Sequence, residues 1–123
     1  MAVFARTVLL VDDNQSLRDG LACVLRDEGV ETYEASRGDE ALALVSRQQI
    51  HLAVLDLNLP DMTGVGIYNG LLRLWPKLPC IFMTAEASKP LVEEAWRLGP
   101  LGLLRKPFEV HVFRDLVRRA IAV

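Results

Sequence analysis

Thr7-Val8-Leu9-Leu10-Val11-Asp12-Asp13-Asn14 is the stretch that decides the fold. Its first five residues run without a charge, the pattern of a strand buried on both faces rather than one with a wet side. Two aspartates end the run. Asn14 then stands where a helix N-cap belongs, because Leu17, Leu21, Val24 and Leu25 follow at helical spacing and Gly29 fits the C-terminus. A doubly buried strand that leads directly into a helix is the opening unit of a parallel sheet, since parallel neighbours need a crossover.

The same unit recurs along the chain. Residues 30–35 predict a second strand, more polar than the first and so nearer an edge. Ser36 or Arg37-Gly38 starts a helix carrying Ala41, Leu44 and Val45. Leu52–Asp56 predicts a third strand, residues 59–63 with Pro60 a loop, and Gly64–Leu74 a helix weakened by Gly66 and Gly70. Pro76 and Pro79 precede a strand at Cys80–Thr84. Ser88 is placed to cap a helix over residues 89–98, which Gly99-Pro100 ends. Residues 101–104 give a short fifth strand and residues 109–122 the last helix. Five β/α units in 123 residues predict a single α/β domain over residues 1–123, a parallel sheet with helices on both faces. Ligands of such sheets bind beyond the carboxyl ends of the strands, where the strand order reverses.

Composition narrows the function. A formal charge of -2 argues against a general nucleic-acid binder, which needs a basic surface to neutralise phosphates. Cys23 and Cys80 lie in apolar runs with no CxxC or Cys/His neighbourhood, and are read as reduced core residues of a cytoplasmic protein. Residues 1–6 lack the basic and apolar regions of a signal peptide, and the apolar runs are too short to span a bilayer, so no membrane association is expected.

The polar residues at the strand ends carry the chemistry. The first strand ends in Asp12-Asp13, the third in Asp56, the fourth in Thr84, and Lys106-Pro107 follows the fifth. Single aspartates after strands are commonly turn or cap residues; five polar positions converging on one rim are a more specific pattern. Three clustered carboxylates repel and resist ionisation unless a cation sits among them. Hard oxygen donors at an open rim suit Mg2+, which keeps several waters and bridges carboxylates to phosphate. A carboxylate beside such an ion can act as a nucleophile towards phosphorus. Lys106 would neutralise phosphoryl charge and Thr84 would donate a hydrogen bond to a phosphoryl oxygen.

Val11-Asp12-Asp13-Asn14, Leu55-Asp56-Leu57 through Pro60 to Gly64, Met83-Thr84-Ala85 and Lys106-Pro107-Phe108 resemble, in order and spacing, the landmark motifs of the receiver domains of two-component response regulators, the CheY-like superfamily. The resemblance covers essentially the whole chain. It implies a flavodoxin-like (βα)5 fold with strand order 2-1-3-4-5. It places the phosphoacceptor at Asp56, the Mg2+ ligands at Asp12, Asp13 (the direct ligand of the pair), Asp56 and the carbonyl of Asn58, the switch hydroxyl at Thr84 and the phosphate-binding lysine at Lys106. It also implies a cis Lys106-Pro107 bond. The donor would be a sensor histidine kinase or a histidine phosphotransfer protein, and the switching surface the fourth helix, fifth strand and fifth helix, with a homodimer through that face as one use. The chain would catalyse only its own phosphorylation and dephosphorylation. Asn58 and Glu86, two residues after acceptor and switch hydroxyl, are both polar, a pair similar to that of receivers that lose phosphate quickly.

Two departures bear on output: Leu103 stands where most receivers carry Tyr or Phe, and Gly99-Pro100 where Gly-Ala is usual. Leu103 keeps open a phosphorylation-independent interaction module. A haloacid dehalogenase-type phosphohydrolase also uses Asp and Mg2+, but Asp56-Leu57-Asn58-Leu59-Pro60 lacks the second Asp and the Thr of its DxDxT motif. Gly64, Gly66 and Gly70 miss the dinucleotide spacing by one. His51 and His111 are expected away from the rim, Arg118-Arg119 as favourable charge at a helix C-terminus, and Trp75 as loop packing. For Trp96 two readings stay open, edge packing or a partner surface.

Overall fold

The computed structural model describes residues 6–46, 48–85 and 88–121. The chain alternates β1 (Thr7–Val11), α1 (Gln15–Asp27), β2 (Glu31–Ala35), α2 (Gly38–Val45), β3 (Leu52–Asp56), α3 (Gly64–Leu74), β4 (Cys80–Thr84), α4 (Lys89–Arg97), β5 (Gly102–Arg105) and α5 (Val110–Ile121). All five strands are parallel, in the order β2-β1-β3-β4-β5. The flavodoxin-like arrangement is therefore as the motifs implied.

Side chains alternate along each strand and build two cores. Leu9, Val11, Ala53, Leu55, Cys80 and Phe82 face α2, α3 and α4, through Ala41, Val45, Val65, Ile67, Leu71 and Ala95. Val8, Leu10, Leu52, Val54, Ile81 and Met83 face α1 and α5, through Leu21, Leu25, Phe113 and Val117. Each fully buried Leu or Phe contributes about 1.5–3 kcal/mol relative to exposure, so a central strand cannot exchange places with the polar edge strand β2 without losing most of this. Tyr68 meets Phe82 edge to face, with ring centroids 5.7 Å apart, and its hydroxyl donates to the Leu78 carbonyl. Burial, with Cys80 nearby, pushes that phenol up to about 12.

Helix ends follow the sequence closely. Asn14 Oδ1 accepts from the Leu17 amide at 3.1 Å, and Ser88 Oγ from the Leu91 amide at 3.3 Å. Gly29 and Gly99 follow α1 and α4 with φ of +78° and +70°, a conformation that favours glycine. The fifth strand is displaced by one residue from the expected span, because Gly102 pairs with Ile81 and Arg105 with Thr84.

One reading needs correction. Cys23 is exposed, while Cys80 is buried as expected. In a helix an apolar run does not define the inner face; Leu21, Ala22 and Leu25 fill it and turn Cys23 outward. Arg118 and Arg119 lie in the last turn of α5 as expected, and Arg118 has a partner besides. Its guanidinium grips the Glu28 carboxylate with two bonds, and Arg114 approaches the same group at 3.8 Å, tying α5 to the end of α1. The hydrogen bond from Arg118, with the two positive charges, holds the Glu28 carboxyl below the usual carboxylate range.

Candidate functional site

Parallel pairing brings the polar strand ends to one rim. Val11 lies beside Ala35 and Leu55, Asp56 beside Met83, and Thr84 beside Arg105. The order reverses between β1 and β3, so the residues after these two strands flank the crevice.

Asp12 is fully buried and tied down on every side. Its amide donates to the Ala35 carbonyl at 3.1 Å, its Oδ1 accepts from the Asn14 amide at 2.8 Å, and its carbonyl accepts from Arg18 Nη1 at 2.6 Å. Asp13, next in sequence, is exposed and opens into the cleft. Asp56, 3% exposed, accepts at Oδ1 from the Asn58 amide at 3.0 Å. Lys106 bridges the two buried acids, its Nζ lying 2.6 Å from Asp12 Oδ2 and 3.0 Å from Asp56 Oδ2. The Lys106 amide donates to the Thr84 carbonyl at 2.8 Å, and the Lys106-Pro107 bond is cis. Thr84 is buried, and its hydroxyl accepts from Asn58 Nδ2 at 3.3 Å.

Together these residues floor an open cleft of about 500 Å³, lined by Asp13, Asn14, Asp56, Asn58, Ala85 and Lys106. Asp12, Asp13 and Asp56 can each offer an oxygen within 4.8 Å of the other two. Burial is the main influence on Asp56 and raises its carboxyl above the usual range. The Asp12 charge adds to the rise, and the Asn58 amide and Lys106 only partly oppose it. Burial also acts on Lys106 and pulls it down, but its bonds to Asp12 and Asp56 and their charges outweigh that, so the ammonium is raised. Three carboxylates against one ammonium leave the cleft with an excess of hard anionic oxygen. That donor set fits a divalent oxygen-seeking cation such as Mg2+.

All the residues singled out at the strand ends are thus brought together: Asp12, Asp13, Asp56, Asn58, Thr84 and Lys106. Glu86 lies outside the described residues. Arg18 was not foreseen. It lies on the first turn of α1, and nothing in an amphipathic pattern distinguishes an arginine that reaches back to a strand-end carbonyl from one in solvent. Gly64, the glycine that closes the Asp56 motif and opens α3, has a packing role the motif did not specify: a Cβ there would lie 2.5 Å from the Asp56 carbonyl, so the start of α3 is packed directly on the acid's backbone. His51 is at the other end of the sheet, where its Nδ1 accepts from the Thr7 amide at 2.9 Å, and His111 is exposed on α5. Trp75 is half-buried against the core, as a loop-packing residue should be. Trp96 is 51% exposed, while Ala95 beside it is buried.

An acidic, lysine-bridged cleft at the switch point of a 2-1-3-4-5 parallel sheet defines a receiver-type α/β protein. The chain belongs to the response regulator receiver domain family, which matches it over residues 8–118. It is 32% identical over 112 residues to sporulation initiation phosphotransferase F of Bacillus subtilis, covering 91% of this chain and 90% of that protein. It is 35% identical to the response regulator protein FleR of Pseudomonas aeruginosa, over 94% of this chain but only 24% of that protein. Among solved structures, a CheY-like response regulator receiver domain protein from Methanospirillum hungatei superposes with a TM-score of 0.88 at 26% identity, covering 94% of this chain and 93% of that one. Chemotaxis protein CheY4 of Vibrio cholerae gives 0.85 at 29% identity, covering 96% of this chain and 100% of that one. Some relatives, FleR among them, are thus much longer than this chain. No helix among the described residues is long and apolar enough to cross a membrane.

Proposed function

We propose that residues 1–123 form one cytoplasmic receiver domain that accepts a phosphoryl group on Asp56 from the phosphohistidine of a sensor histidine kinase or histidine phosphotransfer protein. The observation that carries this reading is a nearly buried carboxylate, Asp56, held at the floor of an open cleft with an ammonium on one oxygen and a backbone amide on the other. A carboxylate oxygen of Asp56 attacks phosphorus, the P–N bond of the phosphohistidine breaks, and the imidazole leaves with its electron pair and takes a proton from water.

Each neighbour has a definable part. Lys106 moves its hydrogen bond from the Asp56 carboxylate to a phosphoryl oxygen, so charge on the transferred group stays compensated. Thr84 turns its hydroxyl towards a second phosphoryl oxygen, exchanging the amide of Asn58 as its partner. Asp13, Asp56 and the Asn58 carbonyl would hold Mg2+ with Asp12 behind them, and the ion would supply positive charge to offset the excess of carboxylate oxygen in the cleft. Asp12 keeps Lys106 and the Asn14 turn in place. The phosphotransferase relative, of which this chain spans 90%, supports phosphoryl-transfer chemistry in particular.

Movement at Thr84 is proposed to reach α4, β5 and α5, whose exposed Trp96, Val110 and Val112 form the surface offered to a partner or a second copy of the chain. Incubation with Mg2+ and acetyl phosphate should add one phosphoryl group by intact-mass measurement. Asp56→Asn should remove that addition; its persistence would reject Asp56 as acceptor.

A further inference from the structure

Helix α2 begins without a cap of its own. Arg37 occupies the N-cap position and makes no side-chain capping bond. The first amides of α2 are satisfied from elsewhere: Asp61 Oδ1 accepts from the Gly38 amide at 2.8 Å and Asp61 Oδ2 from the Asp39 amide at 2.9 Å. Free amides at a helix start need such acceptors, and a capping side chain contributes about 0.5–2 kcal/mol. Here the cap comes from a residue more than twenty positions away in the chain, in the loop that leads from Asp56 to α3. Those two backbone bonds hold the Asp61 carboxyl below the usual carboxylate range.

The neighbouring side chain reinforces the junction. Met62 lies so close over Gly38 that a Cβ at that position would collide with its Cγ and Sδ. At the loop's other end, the Gly64 amide donates to the Leu57 carbonyl at 3.1 Å, Asn58 bridges to Thr63, and Gly64 abuts the Asp56 carbonyl. The segment from Asp56 to Gly64 is therefore fixed at both ends by its own bonds and in the middle by α2. Its working member is Asn58, whose amide donates to Asp56 and whose side chain reaches Thr84.

We propose that Asp61 is a positioning residue for the phosphoacceptor loop: by capping α2 from within the loop, it fixes the backbone at Asn58 and so the geometry around Asp56. The inference rests on the receiver reading only for what the loop serves. The strap itself is built from protein groups alone. Releasing it leaves two amides of α2 without acceptors and lets the backbone that carries the Asn58 amide and carbonyl drift from the acidic cluster.

The test compares Asp61→Ala and Asp61→Asn with Glu28→Gln, which weakens the α1–α5 ion pair away from the cleft. Amide hydrogen exchange of metal-free protein is followed by NMR, and Mg2+ affinity by titration. Asp61→Ala should speed exchange at Gly38 and Asp39 and also at Asn58 and Gly64. It should weaken Mg2+ binding roughly tenfold, the lower end of what loss of a group supporting metal ligands brings. Asp61→Asn keeps one accepting oxygen and should recover part of both effects, and it remains measurable if the alanine variant does not fold. Glu28→Gln should lower the melting temperature and leave Asn58 exchange and Mg2+ affinity as in the wild type. Faster exchange confined to Gly38 and Asp39, with Asn58 and Mg2+ affinity unchanged, would reduce Asp61 to a helix cap and overturn the proposal. Should the wild type bind no Mg2+ at all, the receiver reading fails, while Asn58 exchange in the variants still decides whether Asp61 positions the loop.

Discussion

Lys106→Met removes the one positive charge between Asp12 and Asp56 while keeping an unbranched side chain of similar length. At 2.6 and 3.0 Å, each pairing is worth about 6 kcal/mol of Coulomb energy at an effective dielectric constant near 20. Dehydration of the ammonium and repulsion between the two acids offset much of that. The expected loss of stability is about 3 kcal/mol, the lower end for breaking a buried pair, because Asp56 can escape part of the cost by taking up a proton. In a domain of this size that is a fall in Tm of about 10 °C.

The sign with pH follows from Asp56. Its folded carboxyl is already raised above the ordinary 3.8, so its ionisation works against folding and stability is lost as pH climbs from 3.8 through the folded value. Deleting Lys106 removes one of the influences that lower it and widens that window. The gap between variant and wild type should be larger at about pH 7 than at about pH 4, because ionisation of Asp56 costs more once Lys106 is gone. Mg2+ should raise the variant's melting temperature more than the wild type's, because the ion replaces the missing charge. Thermal melts at the two pH values, with and without Mg2+, decide it. An equal loss of Tm at both, with no extra response to Mg2+, would refute the reasoning.

Asn58 lines the cleft beside Asp56, and a polar group there can admit and orient an attacking water. Asn58→Met should therefore slow loss of the phosphoryl group in a phosphate-release assay, and faster loss would contradict this. Leu103 is half-buried against the core under α4 and has neither ring nor hydroxyl. A change in its exposure alters apolar burial by only about 1 kcal/mol, too little to drive the switch alone. Beryllofluoride should accordingly shift NMR signals between residues 84 and 96 clearly, with little rotamer change at Leu103; a large Leu103 swing beside an unmoved α4 would refute it.

The sheet was legible because burial on both faces leaves an unmistakable mark. Thr7–Val11, Leu52–Asp56 and Cys80–Thr84 are bounded as read, each by a polar residue at the rim or a proline before it. The candidate site was legible for a related reason. In a parallel sheet the last residue of every strand points to the same rim, so a one-dimensional pattern of strand ends already contains the cluster of Asp12, Asp13, Asp56 and Lys106. What was hidden depends on side chains that cross between elements. Asp61 looks like one more polar loop residue until α2 is brought against it. Arg18 and Arg118 sit on polar helix faces, and their partners, the Asp12 carbonyl and Glu28, are fixed only by packing. Cys23 misled because hydrophobicity, read without the helical period, does not tell the inner face from the outer.

Of the three clustered carboxylates, Asp56 is the one proposed to carry the phosphoryl group. Protein phosphorylated with acetyl phosphate and Mg2+ and then treated with borohydride, which reduces an aspartyl phosphate to homoserine, can be mapped by peptide mass spectrometry. The modification should appear at Asp56 and at neither Asp12 nor Asp13. Modification at one of those acids, or phosphate retained elsewhere on the chain through reduction, would contradict that assignment.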